Sequence, residues 1–164
     1  MVQRVVRQLR EAGICDPITV ATSRSQRDVV INQLGDGIPV VTEPERRDTF
    51  PAIALASSYL ACERKCSADE VVIVMPCDPY TEAGYFETIR RMAEAVKNDA
   101  AELVLMGIRP TYPSAKYGYV VPMPDNDESG IYRVSRFTEK PDVPTAGRLI
   151  SEGAFWNGGV FAFR

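Results

Sequence analysis

The chain of 164 residues contains no histidine, and this absence excludes several chemistries at once. Ser-His and Cys-His nucleophilic catalysis need an imidazole base, and zinc sites often use imidazole as a ligand. Cys62 and Cys66 stand close together in a predicted helix, but no Cys-x-x-Cys pair occurs. We therefore interpret Cys15, Cys62, Cys66 and Cys77 as reduced thiols of a cytoplasmic protein.

Long apolar runs and basic stripes are also missing. No stretch is apolar enough to cross a bilayer, and the charged N-terminal residues 1–10 indicate an amphipathic helix rather than a signal peptide. The net charge of −3 without a Lys/Arg cluster argues against a nucleic-acid surface. With 45% hydrophobic residues, the chain can form a core, and we predict a single domain over residues 1–164.

What is present is an alternation of helical and extended patterns. The hydrophobic spacing predicts helices over residues 2–9, 24–34, 49–64, 84–97 and 146–151, and strands over 18–21, 38–41, 71–78, 102–108 and 155–164. After Pro110 the pattern changes, because residues 117–121 and 131–137 alternate apolar and polar around an acidic, turn-rich segment. The sequence therefore predicts an α/β fold, mainly a parallel sheet with flanking helices, plus one antiparallel pair.

The clearest functional signal is the β-branched run that ends near Asp78. Ligands of open α/β sheets lie at the carboxyl ends of strands, so Asp78 stands where a carboxylate can hold a divalent cation over a phosphate. The alternative is an Asp that caps a turn before Pro79. Both interpretations remain open from this segment alone.

Charged residues precede the third predicted helix, in the segment Glu43 to Ile53. A helix start offers free N–H groups to an anionic ligand, and the alternative is a solvated loop in which Thr49 caps the helix. Lys140, which follows Glu139, can neutralise a phosphate or form a surface ion pair. For each of these motifs, the ligand-binding interpretation and the purely structural one both remain open.

Two aromatic segments contain glycine. Gly118 lies between two tyrosines and predicts a bulge or a close approach to the backbone. Trp156 and Asn157 precede two glycines, a combination that suits a sugar hydroxyl, although a turn with a core Trp is equally compatible.

The order of these motifs is more specific than any one of them. Glu-Pro, Asp-Thr-x-Pro-Ala, a strand followed by Pro-x-Asp, then Tyr-Gly-Tyr, Glu-Lys-Pro and Trp-Asn-x-Gly resemble the sugar-1-phosphate nucleotidyltransferases, and among them the mannose-1-phosphate guanylyltransferases. The resemblance implies a Rossmann-like sheet of the nucleotide-diphospho-sugar transferase type. It also implies transfer of a guanylyl group from GTP to mannose 1-phosphate, which needs no general base.

The resemblance implies roles for seven residues. Asp78 matches the Mg²⁺-binding Asp and Lys140 the Lys that holds the sugar phosphate, and these two would carry catalysis. The remaining matches are substrate contacts by Gly118, Glu139 and Asn157, and nucleotide contacts by Asp48 and Thr49.

The sequence also departs from the family. Asp48 stands where the family has Asn, Cys77-Asp78-Pro79 replaces Ser-Asp-His, and Gly158 replaces a common Ser. The Gly-Gly-x-Gly-Thr-Arg loop that would cradle the triphosphate does not occur. We therefore expect a catalytic domain that is incomplete at both ends, inactive alone and prone to self-association through exposed strand edges. Alternatives are another sugar nucleotidyltransferase, using UTP or dTTP with glucose 1-phosphate, and a non-catalytic sugar-phosphate-binding subunit.

Overall fold

The computed structural model describes residues 1–14, 17–124 and 130–164, so Cys15 and part of the acidic turn-rich segment lie outside the described residues. The chain divides into two compact units, Met1–Val104 with Phe161–Arg164, and Leu105–Val160. Its helices are α1 (Val2–Glu11), α2 (Arg27–Leu34), α3 (Thr49–Cys62), α4 (Ala83–Lys97) and α5 (Val143–Ser151). Its strands are β1 (Val20–Ser23), β2 (Val40–Glu43), β3 (Val72–Val74), β4 (Leu103–Ile108), β5 (Tyr119–Pro122), β6 (Val134–Thr138) and β7 (Phe155–Phe163).

The first unit is organised around the apolar face of α1. Val2, Val5, Val6 and Leu9 recur at helical spacing, and all four are buried. Val2 and Val6 pack with Ile38, just before β2, in one cluster of the core. Each buried Val or Leu side chain contributes about 1.5–3 kcal/mol relative to an exposed one. The predicted amphipathic helix is therefore confirmed.

The strands of the first unit pair in two ways. β1 and β2 are parallel, with Ser23 opposite Glu43, so their carboxyl ends lie side by side. β3 pairs antiparallel with the C-terminal part of β7, where Val72 is opposite Phe163. β3 is shorter than the predicted strand over 71–78, and Asp78 therefore lies beyond its carboxyl end rather than at its last residue.

Helix α3 differs from the prediction at its start. The structure places Thr49 inside the helix and Asp48 at the N-cap, so the expectation that Thr49 caps the helix is wrong by one residue. None of the residues of α3 is buried, although its sequence is rich in Ala, Leu and Ile. In the part of the chain that the structure describes, this apolar helix therefore keeps exposed surface.

The second unit contains an antiparallel sheet in the order β6, β5, β7. Tyr119 is opposite Thr138 on β6 and opposite Trp156 on β7. Helix α5 covers one face, where Tyr119 and Val121 pack with Ala146 and Leu149. Asp142 begins this helix, because its carboxylate accepts a hydrogen bond from Thr145 N at 2.8 Å.

The mixed α/β class is confirmed, and so is the antiparallel pair after Pro110. The proportion of parallel pairing is smaller than the alternation indicated. Among the pairings given by register for the described strands, β1–β2 is parallel and β3–β7, β5–β6 and β5–β7 are antiparallel. The single domain over residues 1–164 stays a prediction.

Candidate functional site

The predicted substrate contacts come together on one face of the second unit. Successive side chains of a strand point to opposite faces, so the register decides which residues are neighbours. Gly118 lies between Glu139 on one side and Asn157 on the other, and Asn157 N donates a hydrogen bond to Gly118 O at 2.8 Å. We call Glu139, Gly118 and Asn157 the polar row. The three residues are far apart in sequence, and strand pairing alone makes them neighbours.

Lys140 stands at the end of the polar row. Its Nζ lies 3.4 Å from Glu139 Oε1, and both side chains are more than half exposed. An exposed ion pair of this kind is weak, so the ammonium group remains available to a more highly charged anion. The structure shows the predicted ion pair, and it also places the cation beside the carboxylate expected to contact a sugar.

A hydrogen bond restrains Asn157, and the Glu139 carboxylate lies over Gly118. Asn157 Oδ1 accepts a hydrogen bond from Gly159 N at 3.0 Å, which fixes the side-chain oxygen and leaves the amide N–H₂ as donor. Glu139 Oε2 lies 2.7 Å from the position that a Cβ on Gly118 would occupy. The row therefore presents a carboxylate acceptor and an amide donor, the two functions that sugar hydroxyls require.

Gly118 has a packing role in this arrangement. It is buried, and a Cβ there would also lie 2.7 Å from Cζ of Phe137. Real side chains do not tolerate such distances, so the ring of Phe137 and the carboxylate of Glu139 cover the space that glycine leaves open. A direct contact of Gly118 with a sugar stays a prediction.

Trp156 lies on the opposite face from Asn157. It packs against the core beneath α5, and its ring contacts Tyr112 and Tyr117 at centroid distances of 5.2 and 4.8 Å. A hydrogen bond with Tyr112 raises the pKa of the Tyr117 hydroxyl. The interpretation of Trp156 as a core residue therefore holds for its ring, whereas Asn157 lies on the opposite face, within the polar row.

In the first unit, Asp48 and Thr49 form the start of α3. The backbone of Asp48 has φ 63° and ψ −163°, a region that glycine favours, and its side chain makes no capping hydrogen bond. Among the described residues, no hydrogen bond or ion pair is recorded for this carboxylate. Asp48 is therefore exposed, strained and free to bind a ligand.

A cleft of about 580 Å³ adjoins this helix start. It lies where β1 and β2 end, and its walls combine opposite charges with apolar side chains. The lining residues are Arg24, Glu43, Pro44, Glu45, Arg47, Pro51 and Leu55. Arg47 is paired with Glu45 at 2.7 Å. The cleft lies at the carboxyl ends of two parallel strands, which is where open α/β sheets bind ligands.

Asp78 follows β3 in the first unit and is exposed. Within residues 1–14, 17–124 and 130–164, no ion pair or hydrogen bond of its carboxylate is recorded, and no group of three or more metal-ligating side chains occurs. A single carboxylate suits Mg²⁺, which usually keeps several waters and is shared with substrate phosphates. Asp78 and Lys140 belong to different units, and the expectation that the two carry catalysis together stays a prediction.

Backbone strain distinguishes two of the candidate residues. Four described non-glycine residues have positive φ: Asp48, Lys65, Asp99 and Lys140. Lys65 and Asp99 follow the C-terminal ends of α3 and α4, where a left-handed residue ends a helix. Lys140, with φ 42°, follows a strand, and Asp48 precedes a helix. Strained residues that no helix end explains cluster at functional sites.

The described cysteines give no sign of chemistry. Cys62, Cys66 and Cys77 are free. Partial burial and the neighbouring Glu70 raise the pKa of the Cys66 thiol, which lowers its reactivity at neutral pH. Among the described helices, none has the length and apolar character needed to cross a membrane.

Comparison with known proteins shows the family of the chain. The Nucleotidyl transferase family matches residues 1–164. Mannose-1-phosphate guanylyltransferase RfbM of Salmonella typhimurium is 32% identical over 173 residues, which cover 100% of this chain and 35% of the relative. Alginate biosynthesis protein AlgA of Pseudomonas aeruginosa is 32% identical and covers 99% of this chain and 34% of the relative.

Solved structures show the same class. The crystal structure described as mannose-1-phosphate geranyltransferase from Thermus thermophilus has a TM-score of 0.83 and 34% identity, covering 99% of this chain and 46% of that one. A mannose-6-phosphate isomerase from Helicobacter pylori, at 20% identity and a TM-score of 0.76, shares the fold.

The fold and its solved neighbours thus define an α/β protein of the nucleotidyltransferase class. The chain belongs to the Nucleotidyl transferase family. It spans about a third of the length of the curated relatives described above.

Sequence reasoning missed two residues of these sites. Arg24 lines the cleft together with Glu43, which belongs to the charged segment singled out above, and the position of Arg24 directly after β1, beside the carboxyl end of β2, was a usable signal. Phe137 covers Gly118, and no local pattern indicates it, because the contact depends on the register between β5 and β6.

Proposed function

We propose that the protein transfers a guanylyl group from GTP to mannose 1-phosphate and releases pyrophosphate. The polar row with Lys140 at its end carries the proposal. It gathers a carboxylate, an amide and an ammonium group on one face of a chain that belongs to the Nucleotidyl transferase family. That set matches the hydroxyl and phosphate groups of a sugar phosphate.

The sugar phosphate binds in the second unit. Glu139 accepts hydrogen bonds from sugar hydroxyls, and the amide of Asn157 donates to one. Lys140 balances the charge of the phosphate, and because its ion pair with Glu139 is exposed and weak, the exchange of partners costs little. Gly118 leaves room for the Glu139 carboxylate, because a Cβ at this position would lie 2.7 Å from Glu139 Oε2.

The nucleotide binds in the first unit. The cleft at the ends of β1 and β2 offers carboxylate acceptors and guanidinium donors, which suit the N–H groups and the carbonyl oxygen of guanine. Asp48 and Thr49, at the start of α3, contact the nucleotide beside this cleft.

Asp78 is the proposed ligand of Mg²⁺. Its exposed carboxylate, which has no recorded partner among the described residues, fits a cation held by one protein carboxylate and by substrate phosphates. When bound, Mg²⁺ would neutralise charge on the triphosphate.

The reaction needs positioning more than proton transfer. A phosphate oxygen of mannose 1-phosphate attacks the α-phosphorus of GTP in line. The bond from that phosphorus to the bridging oxygen breaks, and pyrophosphate leaves with the electron pair. The attacking oxygen is already ionised near neutral pH, so a chain without histidine is sufficient. Lys140 and Asp78 act by holding charge in place.

The tests of this proposal measure ligand binding by this chain, because a Gly-Gly-x-Gly-Thr-Arg loop does not occur in its 164 residues and the relatives are about three times as long. A cytoplasmic location, where GTP is available, belongs to the same proposal.

Calorimetric titration tests the two halves separately. We expect the chain to bind mannose 1-phosphate more tightly than glucose 1-phosphate, and GTP with Mg²⁺ more tightly than UTP or dTTP. Lys140→Ala should weaken mannose 1-phosphate binding by about tenfold, with Lys140→Arg as the charge-preserving control.

Each other outcome identifies a rival. Preference for glucose 1-phosphate with UTP or dTTP would indicate another sugar nucleotidyltransferase. Asp48, which replaces the family's Asn, is compatible with such a different base preference. Sugar-phosphate binding without any nucleotide binding would indicate a non-catalytic subunit. No binding of any sugar phosphate would overturn the proposal.

A further inference from the structure

The polar row has an apolar neighbour on the same face of the second unit. Val120 is opposite Phe137 on β6 and opposite Phe155 on β7. Phe137 and Glu139 are two residues apart, as are Phe155 and Asn157, so the two rows share one face and run side by side. We call Phe137, Val120 and Phe155 the apolar row. Helix α5 covers the opposite face.

Phe137 is the exposed member of this row. Val120 is buried, whereas the side chain of Phe137 is 47% exposed. Phe155 is partly buried and stacks on Tyr132, with 5.9 Å between the ring centroids. The exposed aromatic surface is therefore concentrated where the apolar row meets the polar row.

The ring of Phe137 leans toward that boundary. Its Cζ and Glu139 Oε2 both lie 2.7 Å from the Cβ position of Gly118, on the same side of the backbone. A flat apolar surface and a carboxylate acceptor therefore adjoin each other above one glycine.

A pyranose ring has the complementary shape. Its hydroxyls point outward in the ring plane or along one side, while its C–H groups form an apolar patch on a face. Sites that bind small polar molecules combine apolar and aromatic surface with a few placed polar groups. Binding by Glu139 and Lys140 alone would leave the C–H patch without a partner.

We propose that Phe137 is a substrate-binding residue whose ring stacks on the C–H face of the sugar while Glu139 and Asn157 bind its hydroxyls. This inference rests on the proposed sugar-phosphate site and extends it to a residue with no polar atom in its side chain. It makes Phe137 responsible for recognition of the sugar ring and Lys140 for recognition of the phosphate.

The test compares two probes, mannose 1-phosphate and inorganic phosphate, on the 164-residue chain. Phe137→Ala should weaken mannose 1-phosphate binding by about three- to tenfold, the range of one aromatic contact, and should leave inorganic phosphate binding unchanged. Lys140→Ala should weaken both. Phe137→Leu keeps an apolar side chain of similar reach and should give an intermediate loss, which keeps the test valid if Phe137→Ala does not fold.

Saturation-transfer NMR provides a second readout. Irradiation of aromatic protein protons should saturate the C–H protons of bound mannose 1-phosphate, and the effect should fall in Phe137→Leu at equal occupancy. The matched control is Tyr112→Ala, which removes another exposed aromatic side chain of the same unit, one that contacts Trp156 on the face toward α5. It should leave both readouts unchanged.

The outcomes separate this inference from the proposed function. If the wild-type chain binds mannose 1-phosphate and Lys140→Ala weakens it, but both Phe137 variants bind as wild type, the stacking role is wrong and the proposed function stands. Tighter binding by Phe137→Ala would mean that the ring blocks the site, which also overturns the inference. Failure of the wild-type chain to bind mannose 1-phosphate would overturn both.

Discussion

The two units place their candidate residues by different means. In the second unit, strand register brings Glu139, Gly118 and Asn157 into one row with direct contacts. In the first unit, Asp48 and Asp78 lie on segments between elements, exposed and without a recorded partner among the described residues. A sheet can therefore fix the polar row without a ligand, whereas the two exposed carboxylates of the first unit are held by no neighbouring group among the described residues.

The largest expected difference concerns self-association of the whole chain. None of the residues of α3 is buried, and Phe50 within it is 78% exposed. β1 and β3 each have one pairing among the described strands, so a second edge of each is open to another chain. We expect oligomers in sedimentation velocity that dissociate on dilution, and the unfolding experiments below therefore use the dilute chain. A chain that stays monomeric at every concentration would contradict this expectation.

The next effect tests the preformed row itself. Gly118→Ala places a Cβ against Phe137 and Glu139, and we expect it to lower the free energy of unfolding by about 1–3 kcal/mol. It should also displace Glu139 and weaken mannose 1-phosphate binding. Chemical denaturation and calorimetry measure both.

Gly147→Ala is the matched control for that substitution. Gly147 lies in α5 of the same unit, and a Cβ there meets nothing within 4 Å. Alanine should therefore raise the free energy of unfolding by about 0.5–1 kcal/mol. If both variants behaved alike, the covering of Gly118 would not matter.

Backbone strain allows a smaller test at the nucleotide end. Asp48→Gly should raise the free energy of unfolding by about 1 kcal/mol, because glycine adopts φ 63° and ψ −163° without a side-chain clash. The same variant should weaken GTP binding. Asp99→Gly, at a helix end, is the control for removing an exposed carboxylate at positive φ, and it should leave GTP binding unchanged.

The smallest expected effect is on stability, when the N-cap residue of the second unit, Asp142, is compared with that of the first, Asp48. Hydrogen bonds from Thr145 hold the pKa of the Asp142 carboxyl below its ordinary value. A depressed pKa stabilises the folded state above the ordinary aspartate pKa, and this stability is lost as the pH falls below about 4 and through the folded-state value. Thermal melts should therefore show Asp142→Ala less stable than wild type at pH 7, with the difference shrinking toward pH 3.

Asp48 provides the contrast for that experiment. It occupies the N-cap of α3 but its side chain makes no capping hydrogen bond. Asp48→Ala should therefore show no loss of capping stability at pH 7. An equal loss at pH 7 in both variants would remove the distinction between the two helix starts.

Local patterns predicted much of this molecule. Helix α1 was identified by the helical spacing of Val2, Val5, Val6 and Leu9, and the β5–β6 pair by the alternation on both sides of residues 122–130. Each of these patterns lies within a few consecutive residues. The neighbours of Gly118 could not be predicted from a local sequence pattern. Phe137 lies 19 residues on in the sequence, and its contact exists only once β5 and β6 have paired in one register.

The boundaries at the nucleotide end were harder for another reason. The run from residue 71 to 77 is apolar throughout and predicted a strand that reaches residue 78, but the structure forms a strand only over Val72–Val74. Strand length depends on the partner, here the last residues of β7, and not on the apolar run itself. The prediction therefore placed the strand end too close to Asp78, and the role of Asp78 stays a prediction.

The alternation that puts Trp156 beneath α5 and Asn157 on the opposite face has a consequence for how this family can change. Inserting one residue between Phe155 and Trp156 would exchange the two faces, sending the amide into the apolar interior and the indole onto the face of the polar row. The polar row and the packing beneath α5 would be lost together. Length in this short segment is therefore expected to be far less tolerant than side-chain identity.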